Sequence, residues 1–115
     1  MKDRDRAIAD LEELVNSDDV EPSDRFDLGV LLWRSGRLDD AALSFRRSID
    51  IGVEEKFHYY SNAAAMHLVG VLILLGRGRE ALKHCELIPD GYSSYLPGGV
   101  KTKEKLVEEA RLLMP

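Results

Sequence analysis

The sequence predicts an all-α protein of six helices in about three antiparallel pairs, and three observations carry that expectation. Apolar residues recur at helical spacing in segment after segment, and no run alternates β-branched with polar residues as a half-buried strand does. In addition, one stretch returns in altered form: SGRLDDAALSFRRSI at residues 35–49 comes back as LGRGREALKHCELI at residues 75–88. Superimposing the two pairs Gly36 with Gly76, Arg37 with Arg77 and Ala41 with Ala81.

The first helix is marked by Ala7, Ile8, Leu11, Leu14 and Val15, which fall at i, i+1, i+4, i+7 and i+8 and so form one stripe. Asp3 or Asp5 stands near its start, and NSDDVEP ends it. Ser23, after Pro22, is expected to cap a second helix whose apolar residues form two stripes, Phe26/Val30/Trp33 and Leu28/Leu31/Leu32. Two stripes imply neighbours on two sides, and Gly36 closes the helix. Asp39 is the expected N-cap of the third helix, with Leu38 and Leu43 as a hydrophobic staple. Ala41, Ala42, Phe45 and Ile49 lie on its buried face, and Gly52 is its expected stop.

A fourth helix spans roughly residues 54–75, opening with EEKFHYYSN and continuing as AAAMHLVGVLILL, the most apolar run of the chain. That run holds His67 and is shorter than the roughly 20 apolar residues a membrane span requires, so a sandwiched central helix is expected and a membrane is not. The fifth helix, near 78–88, carries Ala81, Leu82, Cys85 and Ile88 and stops at Pro89. PDGYSSYLPGG reads as a loop. The sixth helix, near 100–113, buries Leu106, Val107, Ala110, Leu113 and Met114 and leaves Lys101, Lys103, Lys105, Glu108 and Arg111 to solvent.

A chain of 115 residues is expected to form a single domain, and 44% hydrophobic with 32% charged residues is a globular composition that excludes disorder. One cysteine, Cys85, excludes an internal disulfide and a four-cysteine zinc site. MKDRDRAIADLEELV contains no apolar segment of the secretory kind, and a cytoplasmic location is expected. The net charge of −5 is uneven: residues 1–40 hold six Lys/Arg against twelve Asp/Glu, and residues 41–115 hold ten against nine. Such an acidic front half argues against nucleic acid and towards a basic protein surface, with a merely solvating role as the alternative.

Recurrence at a fixed interval in a helical chain marks stacked supersecondary units. Leu28 precedes Ala41 by thirteen residues and Leu68 precedes Ala81 by the same thirteen, while Ala7, Ala41 and Ala81 are spaced by thirty-four and forty. Residues 25–45 read Arg25-x2-Leu28-Gly29-x2-Leu32 and then Ala41-x3-Phe45; residues 65–85 read Ala65-x2-Leu68-Val69-x2-Leu72 and then Ala81-x3-Cys85. At these positions the chain resembles the tetratricopeptide repeat family, with W-x2-L-G-x2-Y in a first helix and A-x3-F in a second. Arg25 replaces the expected aromatic, and Val69 replaces the close-approach glycine, with Gly70 one residue later. The resemblance covers most of residues 3–88. It implies a short right-handed superhelix over residues 1–115 and a concave groove lined by the first helix of each pair. Phe26, Asp27, Val30, Trp33 and Arg34, with Met66, His67, Gly70 and Ile73, would then face that groove. Six extra residues, KFHYYS, would extend the fourth helix as a projection.

Candidate chemistry is sparse. His58, His67, His84 and Cys85 show no metal-ligand spacing, and adjacent His84 and Cys85 point about 100° apart around a helix. Cys85 occupies the slot of Phe45 in the preceding unit and reads as packing, as His67 reads as a hydrogen-bonded core or groove histidine. GRGR at 76–79 lacks the strand and the Lys-Ser/Thr of a phosphate loop. Paired carboxylates such as Asp39-Asp40 suit helix starts. No cofactor and no metal are expected. Trp33 serves either the groove or packing against the next unit, and Tyr92 and Tyr95 either touch a ligand or fold back as a lid.

Four functions follow from these features. The first is a non-catalytic adaptor or chaperone module holding a protein or peptide. The second is an immunity protein that neutralises a basic toxin domain through Asp18, Asp19, Asp24 and Asp27. The others are a small enzyme around His67 and Cys85, and a homodimer formed through the apolar fourth helix.

Overall fold

The computed structural model describes residues 2–18, 20, 22–54 and 58–114. Six helices and one hairpin follow in order: α1 (Lys2–Val15), α2 (Pro22–Arg34), α3 (Leu38–Glu54), α4 (His58–Leu74), α5 (Gly78–His84) with a 3-10 turn at Cys85–Leu87, β1 (Ser93–Leu96), β2 (Gly99–Thr102) and α6 (Lys103–Leu112). The protein is therefore mostly helical, and the all-α expectation needs one correction, because the stretch read as a loop carries an antiparallel two-stranded sheet. Its turn is Pro97-Gly98 between the facing residues Leu96 and Gly99, with Gly98 at φ 103° where a residue without Cβ is favoured.

Each helix packs on the next in the chain, and α4 also touches α2, α6 and β1. This centrality explains its composition: residues 63–72 are buried on every side, so the helix is apolar all round. Its apolar run is enclosed by the chain's own elements through Leu72, and Leu74 near its end is exposed. No helix among the described residues is long and apolar enough to cross a membrane.

The recurrence seen in the sequence is a recurrence of hydrogen bonds. Gly36 N–H donates to Trp33 O at 2.9 Å and Arg37 N–H to Leu32 O at 2.9 Å; Gly76 N–H donates to Ile73 O at 3.0 Å and Arg77 N–H to Leu72 O at 2.8 Å. Both helix ends are Schellman motifs, with the glycines at φ 79° and 76°. Each arginine then reaches an earlier helix: Arg37 to Glu12 on α1 at 4.0 Å, Arg77 to Asp39 on α3 at 3.2 Å. Ala41 and Ala81 are fully buried, and Phe45 and Cys85, one turn on from each, are buried as well. Gly29 explains why a large ring fits there, since a Cβ on it would stand 2.5 Å from Phe45 Cε1.

Several boundaries differ from expectation. α3 runs through Gly52 to Glu54, and it starts at Leu38, so Asp39 lies in its first turn. α2 begins at Pro22, so Ser23 is inside the helix. α4 is described from His58, and the Lys56 and Phe57 of the expected projection lie outside the described residues. α5 is shorter than expected, and α6 starts at Lys103 behind Thr102, whose Oγ1 accepts from Lys105 N–H at 3.1 Å as an N-cap.

Candidate functional site

The helical period gathers Phe26, Asp27, Val30, Leu31 and Arg34 on one face of α2, where they form one wall of a slot. The opposite wall is the hairpin, through Tyr95, Leu96 and Pro97, and His67 of α4 lies at the bottom. A second compartment continues from it, lined by Phe26, Asp27, His67 and Tyr95 again together with Tyr60, Ala63, Tyr92, Ser93 and Ser94. Four shared residues make the two compartments halves of one slot, each with a volume of about 480 Å³. Beyond Leu96 and Pro97 lies a smaller recess of about 230 Å³ containing Trp33, Gly70, Ile73 and Leu74.

The hairpin holds its place because its two faces differ. Leu96 is buried while Tyr95, pointing the other way, is 81% exposed beside Val100 on the neighbouring strand at 55%. Gly70 makes room for the anchor: a Cβ there would stand 2.7 Å from Leu96 Cδ2 and 2.8 Å from Trp33 Cη2. Trp33 thus packs against the following unit, with its ring 6.5 Å from Phe45 and 5.9 Å from His67.

His67 is enclosed by three rings. Phe26 meets it edge-on at 4.8 Å, Trp33 stands on another side, and Phe45 lies tilted at 5.3 Å. Its Nδ1 faces the Ala63 carbonyl at 2.8 Å, and the Tyr95 backbone offers the ring a second acceptor. Burial lowers its pKa below the ordinary 6.5, and the backbone acceptors at Ala63 and Tyr95 only partly oppose that. A depressed histidine pKa means the unfolded ring takes up a proton first as pH falls. Stability is accordingly full above about pH 6.5 and declines below it. Chemical denaturation between about pH 7.5 and pH 5 is expected to show this decline, and His67→Gln should flatten it. Asp27 acts in the opposite sense at lower pH: burial, then the neighbouring Asp24 carboxylate, raise its pKa, so protonation relieves a cost of the folded state.

Of the residues that sequence reasoning nominated, Phe26, Asp27, Val30, Arg34, His67 and Tyr95 come together in the slot, with Tyr92 at its far end. Met66 does not: it is fully buried, because one residue's rotation from His67 turns it into the core. Asp24 is buried on α2 beside Asp27, and Asp18 is exposed and lines neither half of the slot. Asp19 lies outside the described residues. Sequence reasoning missed Leu31 as a wall residue, and it missed Tyr60, Leu96 and Pro97. Tyr60 sits two turns before His67 on the same helical face, and Leu-Pro-Gly-Gly is a turn signal that would have placed the hairpin.

The slot offers apolar surface with one acid and one base. Among the described residues no three His, Cys, Asp or Glu side chains are grouped to hold a metal ion. Cys85 is 3% exposed, and burial pushes its thiol up, with Lys103 partly opposing. No family model, no curated protein and no solved structure matches this chain.

Proposed function

We propose that this protein is a non-catalytic interaction module, an adaptor or chaperone, that holds a protein or peptide in the slot between α2 and the β-hairpin. The observation that carries the reading is the convergence of Phe26, Val30, Leu31 and Tyr95 with the charges of Asp27 and Arg34 around one elongated cleft. Apolar and aromatic walls supply binding energy, and two opposite charges supply orientation. The finer architecture we favour is a short right-handed array like the tetratricopeptide repeat. Its support is the pair of matching turns at Gly36 and Gly76 and the buried alanines Ala41 and Ala81. A cytoplasmic setting goes with this reading.

The immunity reading keeps a separate basis in the exposed carboxylates of α1, Asp3, Asp10 and Glu13, and in Asp18. Affinity capture from native cell extract separates the two. A partner retained by Asp18→Lys and lost with Asp27→Lys/Arg34→Glu is the expected result. A basic partner lost only with Asp18→Lys would move the site to the acidic face, and the absence of any specific partner would contradict both.

A further inference from the structure

Resting on the slot as the partner site, we infer that its Asp27 half is an arginine pocket, in which the guanidinium of one arginine of the partner is held between aromatic rings and the Asp27 carboxylate.

Rings supply the walls of this half. Phe26 on α2 and Tyr60 on α4 stand 6.0 Å apart and tilted by 50°, so together they form a corner rather than a stack. Tyr92 and Tyr95 line the same compartment from the hairpin. Tyr95 is 81% exposed, and among the described residues no other ring pairs with it, which leaves its face open to a ligand. Along α4, Tyr60, Ala63 and His67 fall on one side at i, i+3 and i+7, and the small Ala63 leaves depth between the two larger side chains. With a volume of about 480 Å³, the compartment has room for a long side chain.

Charge selects which side chain. Asp27 is accessible to solvent on the slot, and among the described residues it has no ion-pair partner. Partial burial, and then the Asp24 carboxylate one turn earlier, raise its pKa, a cost that a bound cation offsets. The arginines on the same helix do not fill this place: Arg25 donates to the Val15 carbonyl at 3.2 Å, and Arg34 lines the other half. Seven residues of helix put Arg34 about 10.5 Å from Asp27, roughly a Debye length at moderate salt, so its repulsion of a second cation is largely screened. His67, with its pKa lowered by burial, adds no positive charge at neutral pH.

The chemistry of the lining favours arginine over lysine. Cations bind over ring faces within about 6 Å of the centroid. A guanidinium is planar and weakly hydrated, so it stacks on rings while two of its N–H groups fork onto one carboxylate. The hydroxyls of Ser93 and Ser94 line the same compartment and can accept from the remaining donors. An ammonium is a compact, strongly hydrated point charge, and it loses more on leaving water.

Selection of a displayed library of random short peptides on the purified protein tests this directly. Enriched peptides are expected to share one arginine, and replacing it with citrulline, which keeps the shape and loses the charge, should weaken binding about tenfold. In Asp27→Asn that ratio should fall to about threefold or less, whereas in Arg34→Gln it should stay near tenfold. Asp27→Asn removes a carboxylate whose burial opposes folding, so the comparison is made on an intact fold. Tyr95→Ala, a change at an exposed ring, should weaken the arginine peptide about fivefold. A citrulline ratio unchanged by Asp27→Asn would overturn the pocket, and a lysine peptide bound within about twofold of the arginine one would overturn the choice of guanidinium. Peptides that shift the NMR signals of α2 yet carry no arginine would overturn the inference and leave the slot as the partner site. No enriched peptide at all would overturn it together with the peptide form of the proposed function.

Discussion

Phe45→Ala is expected to cost about 3–5 kcal/mol of folding stability, a large share of the roughly 5–15 kcal/mol available to a small domain. Phe45 is fully buried in α3 and lies within 5.3 to 6.5 Å of the rings of His67, Phe26 and Trp33. It also fills the space left by Gly29 on α2, so its removal opens a void between two helices whose other contacts hold them apart. Urea denaturation followed by the fluorescence of Trp33, the single tryptophan, measures the loss. The converse change probes the same contact. Gly29→Ala gains about 1 kcal/mol of helix propensity yet is expected to destabilise by about 1–3 kcal/mol, because its methyl meets a ring with nowhere to go. In a Phe45→Leu background that penalty should shrink, and strict additivity would contradict the account of the crossing.

Leu96→Asp is expected to release the hairpin while the helices stay folded. An isolated two-stranded hairpin is marginal in water, and Leu96, 7% exposed against Gly70 and Trp33, is its apolar anchor. A carboxylate in that position loses its hydration against Gly70 and the Trp33 ring, so the strands lift rather than accept it. The ion pairs at the hairpin's base, Lys103 to Asp90 at 2.7 Å and Lys101 to Glu109, are open to solvent screening and add little. Hydrogen exchange should therefore quicken at Ser94 and Lys101 and remain slow through α3 and α4. Because the hairpin is one wall of the slot, partner affinity should fall with it. Unchanged exchange in the strands would contradict the anchoring role of Leu96.

How much of this was legible in the sequence differs by element. The α2 face could be read directly, since Phe26, Asp27, Val30 and Arg34 fall on one side by helical period alone. The two turns could be read as well, because Gly36-Arg37 and Gly76-Arg77 carry their geometry in their own residues. Gly52 misled for a related reason: a glycine ends a helix only where the chain turns to positive φ, and α3 continues through it. Met66 was misplaced because α4 is apolar all round, so nothing in its pattern says which residues face the slot. The hairpin was missed because SSYL and GVKT are short and largely polar, and their strand form depends on Leu96 entering the space at Gly70. That match is tertiary, and no local propensity records it.

The most direct test of the slot as the partner site is photo-crosslinking of the assembled complex from a photoreactive phenylalanine analogue at Val30, compared with the same group at Asp10 on the exposed face of α1. The account expects the partner to be captured from position 30 and to escape from position 10. Capture from position 10 with none from position 30 would place binding on the acidic surface and contradict it.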